Sequence, residues 1–356
     1  MLFLSFLIFL FFIFFSFARV CEAEEQSSAS ASATASSLPY TQLKGPITSD
    51  FQEWLKKNGY DRLHLEKLVA NPQNSYGGRQ FEGQTLKNRP VIFIHGNSDG
   101  ALAQGDEEWA QGWSANIEYF LNNGYSSAEM YAITYGNRNL TYAMNRSIDC
   151  ATVIKMRLFL EAVLQYTGFQ YVDIVAHSMG VTIARIIIQG KTFSEAGKGC
   201  HVSSVVTEAL HIQTNASNRM TTKCDLGKQL MNRVNNLIGI AGANFGMCIC
   251  SNETIAQTFA ACGKLTGFWT TTKWPPILGD AGTSKQKMPP KRSQTNYLKV
   301  SIWSKNDTVL GATNLAWGHQ TSLIPFSDRS IVCDGPSHFA LKWATMDDQL
   351  AILRQQ

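Results

Sequence analysis

Val172-Asp173-Ile174-Val175-Ala176-His177-Ser178-Met179-Gly180-Val181 is the stretch that decides the fold. An apolar run ends in a small residue, then x-Ser-x-Gly, then a second apolar stretch as far as Ile188. A strand that turns sharply into a helix satisfies this pattern. Ala176 and Gly180 flank the serine at two positions either side, where larger side chains would strike the neighbouring strand and helix. Ala176 stands where glycine is the commoner choice, and one methyl is tolerable there. Such a turn lifts the Ser178 hydroxyl out of the sheet. It also sets the Met179 amide at a helix N-terminus, where it can face developing negative charge. The plain alternative is a serine that only caps the helix. We refer to residues 176–180, His177 included, as the elbow.

Outward from the elbow, elements alternate. Val91–Ile94 reads as a buried strand because it is a short continuous apolar run, residues 130–134 and 298–303 read as further strands, and 234–241 is a helix-or-strand run read as a strand over 237–241. Residues 109–122, 148–166, 181–188 and 341–353 carry helical apolar spacing. A further helix is expected at 50–57, capped by Ser49 or Asp50, and residues 70–88 read as loop. Strand–helix alternation implies an α/β fold, a mostly parallel sheet with helices on both faces. Residues 195–235 and 245–295 interrupt the order and hold most of the cysteines. They read as excursions covering the site within one domain spanning 38–356. Phe245, Ile249, Phe259, Leu265, Phe268, Trp269 and Trp274 make the second excursion apolar enough for a lid or for covered core.

The elbow needs partners, and the order of the chain limits them. The first strand ends in His95-Gly96-Asn97, and Gly96 permits a turn that aims the Asn97 amide inward as a second oxyanion donor. His95 reads as a holder of that loop, with a general-base role as the lesser alternative. A base following the serine is expected late in the chain. Of seven histidines, His338 sits in Asp334-Gly335-Pro336-Ser337-His338-Phe339, just before the last helix. His319 is the fallback. The acid is expected after a strand between serine and histidine. Asp307 follows Lys299-Val300-Ser301-Ile302-Trp303 closely, and Asp334 competes with it. A carboxylate there would fix the imidazole tautomer and support its charged form.

The formal charge of +4 in 356 residues, without a basic stripe carrying interleaved aromatics, gives no reason to expect nucleic acid. Apolar residues at 44% and charged residues at 16% suit a sizeable core. Residues 2–17 are almost wholly apolar, and Cys21 and Ala23 fit a signal-peptidase site, so 1–23 reads as a signal peptide. Sixteen residues at about 1.5 Å rise are too short to cross a bilayer core of about 30 Å. The Ser/Ala-rich tract 24–37 reads as a disordered leader. Removing Cys21 from eight cysteines leaves seven, so one thiol stays free or pairs between chains. Their pairing is not legible. Cys248, Cys250 and Cys262 lack further ligands at suitable spacing, so no metal site is expected. Sequons at Asn139, Asn145, Asn215 and Asn252 are glycosylation candidates. A fifth, Asn306, is set aside because it adjoins Asp307.

Four motifs together resemble one family: V-I-F-I-H-G at 91–96, V-D-I-V-A-H-S-M-G at 172–180, S-I-W-S-x-x-D at 301–307 and G-P-S-H at 335–338. This set is similar to the class 2 lipases, which include a minimal Bacillus lipase and secreted roundworm lipases. The resemblance implies an α/β-hydrolase fold and hydrolysis of acyl-lipid esters without metal or organic cofactor. It implies Ser178, Asp307 and His338 as the catalytic set, with Asn97 and Met179 as oxyanion donors. The implied partner is a lipid or other acyl ester, with passing contact to a lipid surface. Esterase, thioesterase and phospholipase chemistry are the neighbouring readings. A non-catalytic secreted lipid binder on the same scaffold is the non-enzyme alternative.

Overall fold

The computed structural model describes residues 43–190, 192–196, 213–214, 221–263, 266–269, 297–311, 314–316 and 319–355. The expected signal peptide, the leader, Cys200, Asn215, Leu265 and Trp274 lie outside them.

The strands of the main sheet are β1 (Ser75–Tyr76), β2 (Val91–Ile94), β3 (Met130–Ile133), β4 (Val172–His177), β8 (Val234–Ile240), β9 (Leu298–Ser304) and β12 (Arg329–Cys333). Between β4 and β8 run β5 (Thr192–Ala196), β6 (Gln213–Thr214) and β7 (Thr221–Asp225). Between β9 and β12 run β10 (Leu315–Ala316) and β11 (His319–Gln320). The sheet order is β1-β3-β2-β4-β8-β9-β12. All pairings are parallel except β1 with β3. Every residue of β2, β3 and β4 is buried, so both faces of the sheet centre are covered. The fold is that of the α/β-hydrolases.

The chain passes from β2 outward to β3, then crosses back to β4 on the other side of β2. Loops leaving β2 and β4 therefore diverge at the switch point, where open α/β sheets form a crevice beyond the strand ends. The register places Ile94 opposite Ala176, which brings the loop after β2 beside Ser178.

The helices are α1 (Ser49–Lys57), α2 (Leu65–Val69), α3 (Ser114–Asn122), α4 (Cys150–Thr167), α5 (Met179–Gln189), α6 (Glu253–Thr258), α7 (Leu341–Ala344) and α8 (Met346–Leu353). Thr48, not Ser49 or Asp50, caps α1, its side chain accepting from the Phe51 amide. The helix expected over 109–122 starts only at Ser114. Gly112 adopts φ +53 with its backbone against Leu102, so the chain turns there first. The last helix breaks at Thr345 into α7 and α8. Residues 329–333 form the edge strand β12. Within 70–88, β1 adds a short antiparallel edge strand. The first excursion begins earlier than expected, with β5, β7 and β6 forming a separate antiparallel sheet in that order.

Among the described residues, Cys150–Cys224 joins α4 to β7, and Cys250–Cys262 closes a short loop in the second excursion. Cys333 is a free thiol. In the second excursion Phe268 is buried and Ile249 packs on the core. The Phe245 ring stacks on His319 at 4.7 Å. The described part of this excursion is covered core rather than an open apolar face.

Phe51 docks α1 onto the body. Its buried ring lies 4.4 Å from that of Tyr166, 5.5 Å from Tyr131 and 6.4 Å from Phe159. Phe51→Ala should cost about 3–5 kcal/mol in denaturant unfolding, through lost contacts and the cavity left behind. A loss below 1 kcal/mol would mean that α1 is not part of the cooperative unit.

Candidate active site

Ser178 occupies the turn between β4 and α5 at φ 53, ψ −124, a region that costs a non-glycine residue about 1–3 kcal/mol. Its amide donates to the Ile240 carbonyl at 2.8 Å, and its carbonyl accepts from Val181 at 3.0 Å. The flanking residues explain why the turn is possible. A Cβ on Gly180 would lie 2.4 Å from the carbonyl oxygens of Ile94 and His95. A Cβ on Gly96 would lie 2.9 Å from that of Ser178. Ala176 is fully buried in β4. Although Ser178 stands at the N-cap position of α5, its side chain makes no capping bond.

That hydroxyl is instead 3.0 Å from Nε2 of His338. Nδ1 of the same ring is 2.7 Å from Oδ2 of Asp307. Oδ1 of Asp307 accepts from the amides of Val309 at 3.0 Å and Leu310 at 2.9 Å. Both the imidazole and the carboxylate are buried, whereas Ser178 is half-buried. With Nδ1–H donating to Asp307, Nε2 is free to accept from Ser178. The three side chains come from the loops after β4, β9 and β12, at one end of the sheet. The competing candidates stand apart. His319 is exposed, and Asp334 is an exposed partner of Lys305 at 2.8 Å.

His95 is committed elsewhere. Its Nδ1 donates to the Gly96 carbonyl at 2.7 Å, and its Nε2 accepts from the Tyr135 amide at 3.0 Å. Burial pushes its pKa down to about 3, so the ring is neutral and works as a brace between the loops after β2 and β3. His177 is also buried, and burial holds it well below the usual range. Its Nε2 donates to the main-chain carbonyl of His338 at 2.9 Å, which ties the elbow to the His338 loop.

Among the described residues neither the Asn97 nor the Met179 amide donates a hydrogen bond, so both remain available. The Asn97 side chain is fixed, with Nδ2 donating to the Ala143 carbonyl at 2.9 Å and Oδ1 accepting from Arg146. Arg146 also donates to Ser98 Oγ at 2.6 Å. Sequence reading missed this clamp, and it missed a second one. Lys342, fully buried and four residues after His338, donates to Asp99 Oδ2 at 2.5 Å. Oδ1 of Asp99 accepts from the Gly100 and Gly112 amides, both at 2.8 Å. Partners so far apart in sequence leave no local signature; a lysine in an apolar helical face was the only available hint.

The sequons differ in setting. Asn139 and Asn145 are exposed. Asn252 is half-buried, its side chain accepting from the Ile255 amide at the start of α6. Asn306 is exposed beside Asp307.

The family model for class 2 lipases matches residues 88–219 and 211–351, which include all four motifs and every residue of the Asp307–His338–Ser178 chain. The chain belongs to the class 2 lipase family. It is therefore an ester hydrolase of the lipase and esterase kind. No curated protein matches it. Among solved structures, a truncated carbohydrate esterase from gut microbiota is 12% identical, covering 76% of this chain and 87% of that one at a TM-score of 0.41. Esterase Est2 from Thermogutta terrifontis is 11% identical, covering 78% and 84% at a TM-score of 0.41.

The Lys342–Asp99 pair holds a buried charge whose partner can be removed. Lys342→Met leaves a buried carboxylate without its cation and should cost about 3–5 kcal/mol. Adding Asp99→Asn should recover part of that loss, since the stranded charge disappears. If the single variant unfolds at the wild-type denaturant concentration, the pair is dispensable.

Proposed function

We propose that this ester hydrolase is a secreted serine hydrolase that cleaves lipid acyl esters, triacylglycerol foremost, through an acyl-enzyme on Ser178. The observation that carries the reading is the unbroken hydrogen-bonded chain from Asp307 through His338 to a half-buried hydroxyl that caps nothing. His338 Nε2 takes the Ser178 proton as Oγ attacks the ester carbonyl. The oxyanion rests on the Asn97 and Met179 amides, each donor of this kind contributing about 2.7–4 kcal/mol. The imidazolium, held by Asp307, gives its proton to the leaving alcohol, and water then repeats the sequence on the acyl-enzyme.

Support for a lipid substrate comes from the surface beside the loop after β2. Leu140 and Tyr142 are exposed, 44% and 54%, in the segment whose Ala143 carbonyl holds Asn97. Large exposed apolar side chains in one short segment suit brief contact with a lipid surface. Residues 1–23 serve as a cleaved signal peptide and 24–37 as a leader to the domain beginning at 38. Disulfides fit that route. Asn139 and Asn145 are the accessible glycan acceptors, with Asn215 and Asn252 as further candidates.

Ser178→Ala should lower kcat by about 10⁴-fold or more on both short and long acyl esters, and abolish labelling by a fluorophosphonate. Asp307→Asn should cost about 10⁴-fold in kcat while leaving the labelled serine detectable after long exposure. Wild-type turnover by Ser178→Ala would remove the serine mechanism. A chain-length series on monomeric and emulsified esters tests the substrate, and preference for soluble acetate esters would exclude the lipase reading. An N-terminus other than Glu24 on exported protein would refute the cleavage site.

A further inference from the structure

A cavity of about 500 Å³ lies away from Ser178, at the end of β3. Its walls come from α2, α4, the turn after β3 and the segment around Trp109. Its charged lining consists of Lys67, Arg138 and Lys155, with no carboxylate among the lining residues. Asn71, Asn74, Gln104 and Asn137 supply carboxamides, and Trp109 supplies an indole.

The cations are under-satisfied. Lys155 Nζ donates to the Thr134 carbonyl at 2.9 Å, one bond for three N–H groups. Burial, with the neighbouring Lys67 charge, pushes its pKa down to about 8; Glu66 offsets this only in part. Arg138 Nη2 donates to the Ala110 carbonyl at 3.1 Å, and its Nη1 is buried without a partner among the described residues. The Lys67 ammonium has no carboxylate partner among them either. Lys67 and Lys155 repel each other across the recess while Arg138 is offset by the Asp99 charge, and a doubly charged anion would relieve that repulsion and take up the free N–H groups of the two lysines.

The amides narrow the ligand. Asn71 Oδ1 accepts from the Gln73 amide, Asn74 Nδ2 donates to the Lys67 carbonyl, and Asn137 Oδ1 accepts from Arg146. The opposite end of each carboxamide remains uncommitted among the described residues. Donors and acceptors in alternation suit hydroxyl groups, and an indole offers a flat apolar face to a ring. Only Leu68 and Trp109 are strongly apolar in the lining, so an acyl chain would find little to bury against.

We propose that this cavity binds the phosphate ester of a polyol, as a site separate from the one holding Ser178. The two sites share a wall. Arg138 lies against the Gly100 backbone, where a Cβ would sit 2.4 Å from Nη1. Asn137 reaches Asn97 through Arg146. An occupant touching Asn137 is therefore two hydrogen bonds, through Arg146, from the Asn97 side chain. The phosphate can arrive on a lipid headgroup or on a soluble sugar or inositol phosphate; the recognition chemistry is the same.

The test uses the Ser178→Ala protein, so that binding is read without turnover and independently of the proposed mechanism. Calorimetric titration with myo-inositol 1-phosphate, glucose 6-phosphate and glycerol 3-phosphate should give saturable binding for at least one, and none for neutral inositol. Lys67→Gln with Lys155→Gln should weaken that binding at least about tenfold, with each single change intermediate. Both are polar replacements, and an unchanged thermal melt would show that the variant is folded. Co-sedimentation with phosphatidylcholine vesicles containing phosphatidylinositol, lost in the double variant, assigns the phosphate to a headgroup. Soluble binding without vesicle binding assigns it to a free metabolite, and either result supports the site. Absence of saturable binding to all three esters, or equal affinity in the folded double variant, overturns it.

Discussion

The position of Ser178 depends on how closely β2 approaches the start of α5. At the Gly180 position the Ile94 and His95 carbonyls come so near that no Cβ fits, and at Gly96 the same is true of the Ser178 side chain. These contacts force the serine into a backbone region that side chains avoid, and the surrounding bonds to Ile240 and Val181 hold it there. Removing the close approach would let the turn relax, and the hydroxyl would then fall back toward the sheet or cap α5. The small residues of the elbow are thus the condition for placing a hydroxyl, a helix N-terminus and the loop after β2 at one point.

Three further loops must meet that point, and buried polar contacts bring them there. His95 braces the loop after β2 against that after β3, and His177 grips the backbone of the His338 loop. Lys342 ties the helix after His338 to Asp99. Buried ion pairs add little net stability relative to apolar replacements, because desolvation offsets attraction. Their value here is directional, since each fixes one loop relative to another where apolar packing would permit sliding. Orientation of the reacting groups is worth several kcal/mol in catalysis, so small displacements of these loops matter.

The readable parts of the sequence were those where one residue type had one physical reason to be there. Apolar runs marked β2, β3 and the core of β4 and β8, because a strand covered on both faces favours them, while β9 alternates apolar residues with the buried Lys299 and Ser301. The edge strands β1 and β12 were not legible. One is two residues long, and the other, Arg-Ser-Ile-Val-Cys, is largely exposed and has only three consecutive apolar residues. The strands β5, β6 and β7 of the small sheet are rich in polar residues, as in Thr-Thr-Lys-Cys-Asp, and carry no apolar run. At the site, Ser178, Asp307 and His338 could be named from chain order and local turns. Asp99, Arg146 and Lys342 could not, because their meaning lies in a partner distant along the chain.

The same distinction separates the reacting groups from the surface that meets the substrate. The apolar residues of the second excursion suited either a lid or covered core, and Phe268, Ile249 and Phe245 are engaged by the body of the protein. Leu140 and Tyr142 remain exposed, on a segment joined to Asn97 from two sides, through the Ala143 carbonyl and through Arg146. Force applied to that segment by a lipid surface would be transmitted to the Asn97 loop rather than lost in a free hinge. The polar cavity adjoins the same loop through Arg138 and Asn137. The lipid contact and the anion site proposed for this surface would thus converge on the Asn97 loop, whereas the Met179 amide lies at the start of α5 behind Ser178.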